Sequence, residues 1–232
     1  MRTLQVSPNP LDWYLNHQKV LRIQYSDDSL TPGRKDLPRG GNAFYAAPLG
    51  HAYWQQSNAI EFCYDVFFQR DFDFNLGGKL PGLYGGSPSR CTNPPDCFST
   101  RLMWRRNGEG ELYAYLDRNG QGDDYCNAPP YSSCTGGHGD SLGRGSWTFQ
   151  RERWETLCQV TKLNSPGQRD GSIQISVNGE VRIDMKGLFI RNPGVGFGGI
   201  AFHTFFGGSP LHWASPRTQY TYFRNIRVKR LE

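Results

Sequence analysis

Helical patterning is scarce in this 232-residue chain: no stretch keeps apolar residues at a sustained i, i+3, i+4 spacing. No run of about eighteen apolar residues occurs, so nothing reads as a membrane-spanning helix. There is no Lys/Arg-rich tail or basic helix. The net charge is nevertheless +5, from cations spread along the chain. A moderate basic balance suits an acidic partner, nucleic acid or an anionic polysaccharide, and the spread of cations weighs against a nucleic-acid module. None of the six cysteines sits in a C-x-x-C pair, which argues against a zinc ribbon or a thioredoxin-like site. No Asn-x-Ser/Thr sequon is present, so glycosylation gives no support for secretion. The N-terminus lacks the positive, apolar, small-residue order of a leader, so a secreted form would be the mature chain. No repeat of fixed period is visible.

What is present is aromatic, glycine-rich and strand-like. There are 28 Gly, 15 Pro and 14% aromatics, the composition of many strands joined by tight turns. Cys91/Cys97 and Cys126/Cys134 each bracket a Pro-rich loop, as local disulfides of a secreted protein do. Cys63 and Cys158 lie in strand-like runs; they are either a third bridge or free core thiols. Residues 11–15 read as a loop anchor and 20–25 as a strand. In 59–68, Phe62, Tyr64, Val66 and Phe68 share one face. In 99–105, Leu102 and Trp104 point one way and Ser99, Arg101, Met103 and Arg105 the other. In 111–117, Leu112, Ala114 and Leu116 form an apolar face. Tyr113 and Tyr115 stand opposite it, about 7 Å apart. Paired as a hairpin, these runs gather Ser99, Arg101, Tyr113 and Tyr115 on one face. Residues 118–146 form a long loop region of the kind that walls binding sites. Asn178-Gly179 between alternating runs is the strongest hairpin signal. Strand-like runs at 147–150, 154–160, 200–206 and 220–228 complete ten or more strands. The predicted fold class is all-β, a jelly-roll-like sandwich of two antiparallel sheets, with residues 1–232 as a single catalytic domain.

The segment 75–86 holds five glycines, one proline and one cation, Lys79. By composition it is a stiff turn displaying that lysine. Gly77-Gly78-Lys79-Leu80-Pro81-Gly82-Leu83 also resembles the signature of polysaccharide lyase family 14. Ser99-x-Arg101 followed by Tyr113-x-Tyr115 is similar to that family's cleft-lining pattern. So are Phe205-Phe206-Gly207-Gly208-Ser209, Trp213 and Tyr222-Phe223-x-Asn225 to its C-terminal signature. Several stretches also resemble the fungal glucuronan lyases of family 20. The resemblance covers most of 60–228.

The resemblance implies a jelly-roll enzyme that cuts alginate or glucuronan by β-elimination; a secreted monomer that cuts within the polymer chain is the accompanying expectation. It implies Lys79, Ser99, Arg101, Tyr113 and Tyr115 as the catalytic set. Some relatives have a histidine just before the Ser-x-Arg strand. None lies between Lys79 and Arg101 here, which leaves tyrosine or lysine as the base. No cofactor is required. Some jelly-roll lyases carry a structural ion, so a structural calcium is admitted; Asp27 and Asp28 are candidate ligands for a cation, and no convincing loop holds it.

The chemistry wants these residue types. Elimination from a uronate removes the C5 proton beside a carboxylate and expels the C4 oxygen. Lys79 and Arg101 suit neutralisation of that carboxylate. Tyr113 or Tyr115 beside such cations suits the base and acid roles, and Ser99 suits orienting substrate. His203, Gln159 and Tyr222 are the substrate-binding candidates. In mannuronate and glucuronate the C5 proton and C4 oxygen share a face, so one group can take the proton and return it. A hydrolase on the same fold would instead need two carboxyls about 5–9.5 Å apart, such as Glu61 with Asp65 or Glu111 with Asp117. A non-catalytic binding module would use exposed aromatics such as Trp54 or Trp213.

Overall fold

The computed structural model describes residues 6–7, 20–86, 91, 95–135 and 137–231. The predicted anchor at 11–15 lies outside them. Among the described residues, thirteen strands form two antiparallel sheets. One has the order β1 (Val6–Ser7), β2 (Val20–Tyr25), β13 (Gln219–Leu231), β4 (Ala59–Phe68), β9 (Trp154–Lys162), β10 (Gly171–Val177), β11 (Glu180–Leu188). The other runs β3 (Asn42–Ala46), β12 (Phe197–Phe206), β5 (Gly77–Gly86), β6 (Cys97–Arg105), β7 (Glu109–Tyr115), β8 (Asp140–Thr148). Long crossovers pass between the sheets, as in a jelly roll.

Period-2 alternation builds the core. Phe62, Tyr64, Val66 and Phe68 of β4 face Leu102 and Trp104 of β6 and Phe202 and Phe206 of β12, all buried. The Trp104 ring meets Tyr25, Phe68, Phe72 and Phe206 edge-on at 5.3–5.9 Å. Such contacts add to simple area burial. Tyr25 ties the layers together: its hydroxyl bonds Thr204 on β12 and, at 2.9 Å, Thr221 on β13. The β10–β11 turn has Asn178 and Gly179 both at positive φ, 53° and 83°, as a two-residue hairpin needs.

All six cysteines are paired: Cys63–Cys158, Cys91–Cys97 and Cys126–Cys134. The first bridge joins directly opposed residues of β4 and β9. Three expectations need correction. The long loop region expected over 118–146 gives way to strand β8 from Asp140 onward. Residues 77–86 are a strand, not a turn, and they sit centrally between β12 and β6. Their glycines serve interstrand packing: a Cβ on Gly78 would lie 2.1 Å from the Trp104 ring. Trp54 is fully buried in the short helix α1 (His51–Gln55), its indole N–H donating to the Pro48 carbonyl at 2.7 Å. It offers no platform to a sugar.

Candidate active site

The inward turn of Thr100, Leu102, Trp104, Leu112 and Ala114 forces the alternate residues of β6 and β7 onto the outer face. The register places Ser99 opposite Tyr115, Arg101 opposite Tyr113 and Met103 opposite Glu111. On the other flank of β6, Lys79 of β5 lies opposite Met103, and Phe205 of β12 lies opposite Lys79. Between Leu80 and Leu83 the β5–β6 register shifts, and the β5–β12 register shifts between Ala201 and Phe205. Pro81 has no N–H to give the ladder, so a bulge is its natural place. A Cβ on Gly82 would sit 2.1 Å from the Thr100 carbonyl, so only glycine lets β6 come this close. Across the bulge, Arg101 Nη1 reaches His203 Nδ1 at 3.1 Å.

The cations crowd around two rings. Lys79 Nζ donates to Met103 Sδ at 2.9 Å and stands 3.7 Å above the Tyr113 ring centroid. Arg105 Cζ is 5.6 Å from the same centroid, and Arg101 Cζ is 5.2 Å from that of Tyr115. The two tyrosine rings meet edge-to-face at 5.7 Å. The Gly139 N–H, at the end of the loop pinned by Cys126–Cys134, donates to Tyr113 Oη at 3.1 Å. Beneath them Glu111 is fully buried. It takes Arg105 at 2.6 Å, Arg144 at 2.9 Å and the Ser141 hydroxyl.

Protonation follows from this crowding. Burial, then Arg101 and Arg105, lower the Lys79 pKa well below that of a free lysine, with Glu111 opposing. Burial, then Tyr115, raise that of Tyr113 against the pull of Arg105 and Arg101. Burial, with Arg101 and Lys79 nearby, depresses His203 to about 3, so the imidazole is neutral. Arginine can only donate, so His203 Nδ1 must accept and the ring proton sits on Nε2. Ser99 Oγ and Arg101 Nε are buried with no partner among the described residues. Both line a recess of about 220 Å³ with Tyr45, Tyr84, His203 and Phe205. Buried donors without acceptors are costly unless a ligand supplies them.

Of the predicted residues, Lys79, Ser99, Arg101, Tyr113, Tyr115 and His203 come together on this face. Two do not. Gln159 points inward from β9 and is buried, its amide donating to Thr100 Oγ1 and Thr161 Oγ1. Tyr222 lies on the outer face of the other sheet, against Phe67. Neither of the two carboxyl pairs named for a hydrolase stands as a free pair among the described residues. Asp65 is bound by Thr156, Arg224 and Asn225 on the far sheet, Glu111 is consumed by two arginines, and Asp117 caps Asn119. Trp213 is only half exposed and packs over Gly208. Asp27 and Asp28 sit in the exposed turn after β2, and no trio of His, Cys, Asp or Glu gathers among the described residues. The missed participants are Tyr45, Tyr84, Met103, Arg105 and Gly139. Strand alternation already put Met103 and Arg105 on the right face; Tyr45 and Tyr84 gave no sequence signal.

The jelly roll that carries this face is shared with solved polysaccharide lyases. The marine PL-14 alginate lyase from Aplysia kurodai is 34% identical, with 92% of this chain and 84% of that one covered at a TM-score of 0.80. Alginate lyase vAL-1 from Chlorella virus is 25% identical, covering 98% and 89% at 0.74. The endo-β-1,4-glucuronan lyase from the fungus Trichoderma reesei, at 10% identity and 0.57, shares the fold alone. Exolysin of Paramecium bursaria Chlorella virus 1 is 27% identical over 165 residues, 62% of this chain but only 25% of that protein's length. The class is therefore polysaccharide lyase. The Polysaccharide lyase 14 profile matches residues 15–226, and the chain belongs to that family.

Proposed function

We propose that this enzyme cleaves β-1,4-linked mannuronate-type alginate or glucuronan within the chain, by β-elimination on one face of the sugar. The observation that carries the reading is the Lys79 amine, held between a sulfur and an aromatic face beside two guanidinium groups. Such an amine sheds its proton readily and serves as a general base. Tyr113 is pushed the other way and stays protonated. Of the two bases that the sequence leaves open, tyrosine or lysine, this reading takes the lysine, and so gives Lys79 more than the clamp role it was expected to share with Arg101.

The uronate carboxylate fits the unpartnered Arg101 Nε and Ser99 Oγ together with His203 Nε2–H. Neutralised there, it lets the C5 proton leave as charge develops on the carboxyl oxygens. Lys79 takes that proton. The C4–O bond breaks, the C4=C5 double bond forms, and the new ammonium returns the proton to the departing C4 oxygen. The Tyr113 and Tyr115 hydroxyls remain donors to the sugar. The chemistry draws on no cofactor, so a chelator leaves the rate unchanged. Three disulfides support an extracellular site of action, and no helix among the described residues is long and apolar enough to cross a membrane. We take the active species to be a monomer.

The test is incubation with polymannuronate, polyglucuronate and polyguluronate while the ultraviolet absorbance of the unsaturated product is followed. Product is expected from the first two, with an early fall in viscosity, and Lys79→Ala abolishes it without unfolding the protein. Cleavage of polyguluronate alone, or a folded Lys79→Ala enzyme of normal turnover, would overturn the reading.

A further inference from the structure

The recess does not end at the catalytic residues. Thr31, Pro32 and Ala43 line it and also line a larger cavity of about 800 Å³ at the edge of β3. The wall of that cavity is the strap that carries the chain from β2 in one sheet to β3 in the other. The strap brings three cations. Arg34 is structural, because its guanidinium holds Asp36 at 2.7 Å and the Ser209 carbonyl at 3.1 Å, fastening the strap to the turn after β12. Lys35 and Arg39 are exposed and have no ion-pair partner among the described residues. Tyr45, 39% exposed, lines the recess and packs on His203 at 4.9 Å.

Unpaired cations beside an already cationic recess repel one another and the site, and a polyanion lying across both removes that repulsion. We propose that this groove is a second binding subsite, in which Lys35 and Arg39 take the carboxylates of uronate residues adjoining the one being cleaved. It rests on the polyuronate reading above and deepens it. A β-linked polyuronate presents one carboxylate per sugar, so a chain seated in the recess carries further anions past the strap. Because both cations are exposed, their contribution is Coulombic and salt-sensitive rather than tightly geometric.

The experiment compares wild type with Lys35→Ala/Arg39→Ala on long polymannuronate and on the shortest oligomer that is cleaved. The double variant raises KM for the polymer on the order of tenfold. Its kcat stays unchanged, its kinetics on the shortest oligomer match wild type, and its salt dependence on polymer is flatter. Equal melting temperatures confirm that the strap is intact. An unchanged polymer KM, or an equal rise on the shortest oligomer, overturns the subsite while leaving the lyase reading standing. Wild-type enzyme that forms no unsaturated product from any polyuronate overturns both.

Discussion

Arg105→Gln separates a lysine base from a merely cationic clamp. Lys79 Nζ and Arg105 Cζ lie 3.7 and 5.6 Å from one ring centroid. By the triangle inequality the two charges are within about 9 Å, where an effective dielectric near 20 gives roughly 1.8 kcal/mol of repulsion. Removing that repulsion favours the ammonium and raises the Lys79 pKa. A base must be unprotonated, so the ascending limb of kcat/KM against pH moves upward. At pH values below the limb the variant runs about tenfold slower than wild type. Glu111 keeps Arg144 and Ser141 as partners, so its buried carboxylate is not stranded. Removing a cation would also raise a tyrosine, so the profile is repeated in Tyr113→Phe. The limb survives there if Lys79 is the titrating group. An unmoved limb in Arg105→Gln, or one that vanishes with the Tyr113 hydroxyl, refutes the assignment.

Three further outcomes follow from the same geometry. Gly139→Ala puts a Cβ 2.7 Å from both Tyr113 and Tyr115, so the rings must move; turnover falls at least tenfold by initial-rate assay, with little change in melting temperature. His203 is neutral in the folded protein down to about 3, whereas an unfolded imidazole protonates near 6.5. Below the unfolded pKa the unfolded state binds the extra proton, so stability falls as pH drops from 6.5 toward 3, by about 1.4 kcal/mol per pH unit; denaturant titrations of His203→Gln lose that dependence. Cys63 and Cys158 close a loop of sequence separation 95 on the sheet away from the recess. The double serine variant is less stable by about 4 to 5 kcal/mol in denaturant titration on the chain-entropy account, with the specific activity of the folded protein unchanged.

The hairpin half of the site was legible because a strand's period of two is strict. Once Leu102, Trp104, Leu112 and Ala114 turn inward, Arg101 and Tyr113 have no other face to occupy. Parity gave less guidance in β9, where polar and apolar residues mix on both faces. Gln159 therefore fits a cleft or a buried hydrogen bond equally well by pattern, and contact with Thr100 decides it. Tyr222 alternates in register with its sheet, but the pattern does not say which sheet carries the recess.

The Lys79 segment was misread for a physical reason that reaches into the chemistry. Glycine and proline signal turns when only local conformation is considered. Here they are demanded by neighbours distant in sequence: the Trp104 ring against Gly78, and the β6 backbone against Gly82. The resulting bulge carries two residues past Arg101 and leaves no long side chain between it and His203, which arrives from β12. A regular strand with side chains at 81 and 82 would separate the two and leave Arg101 free to pair elsewhere. The glycines thus shape electrostatics as well as packing. They hold Arg101 against a neutral histidine rather than a carboxylate, so its charge remains uncompensated and bears both on the substrate's acid group and on the proton of Lys79.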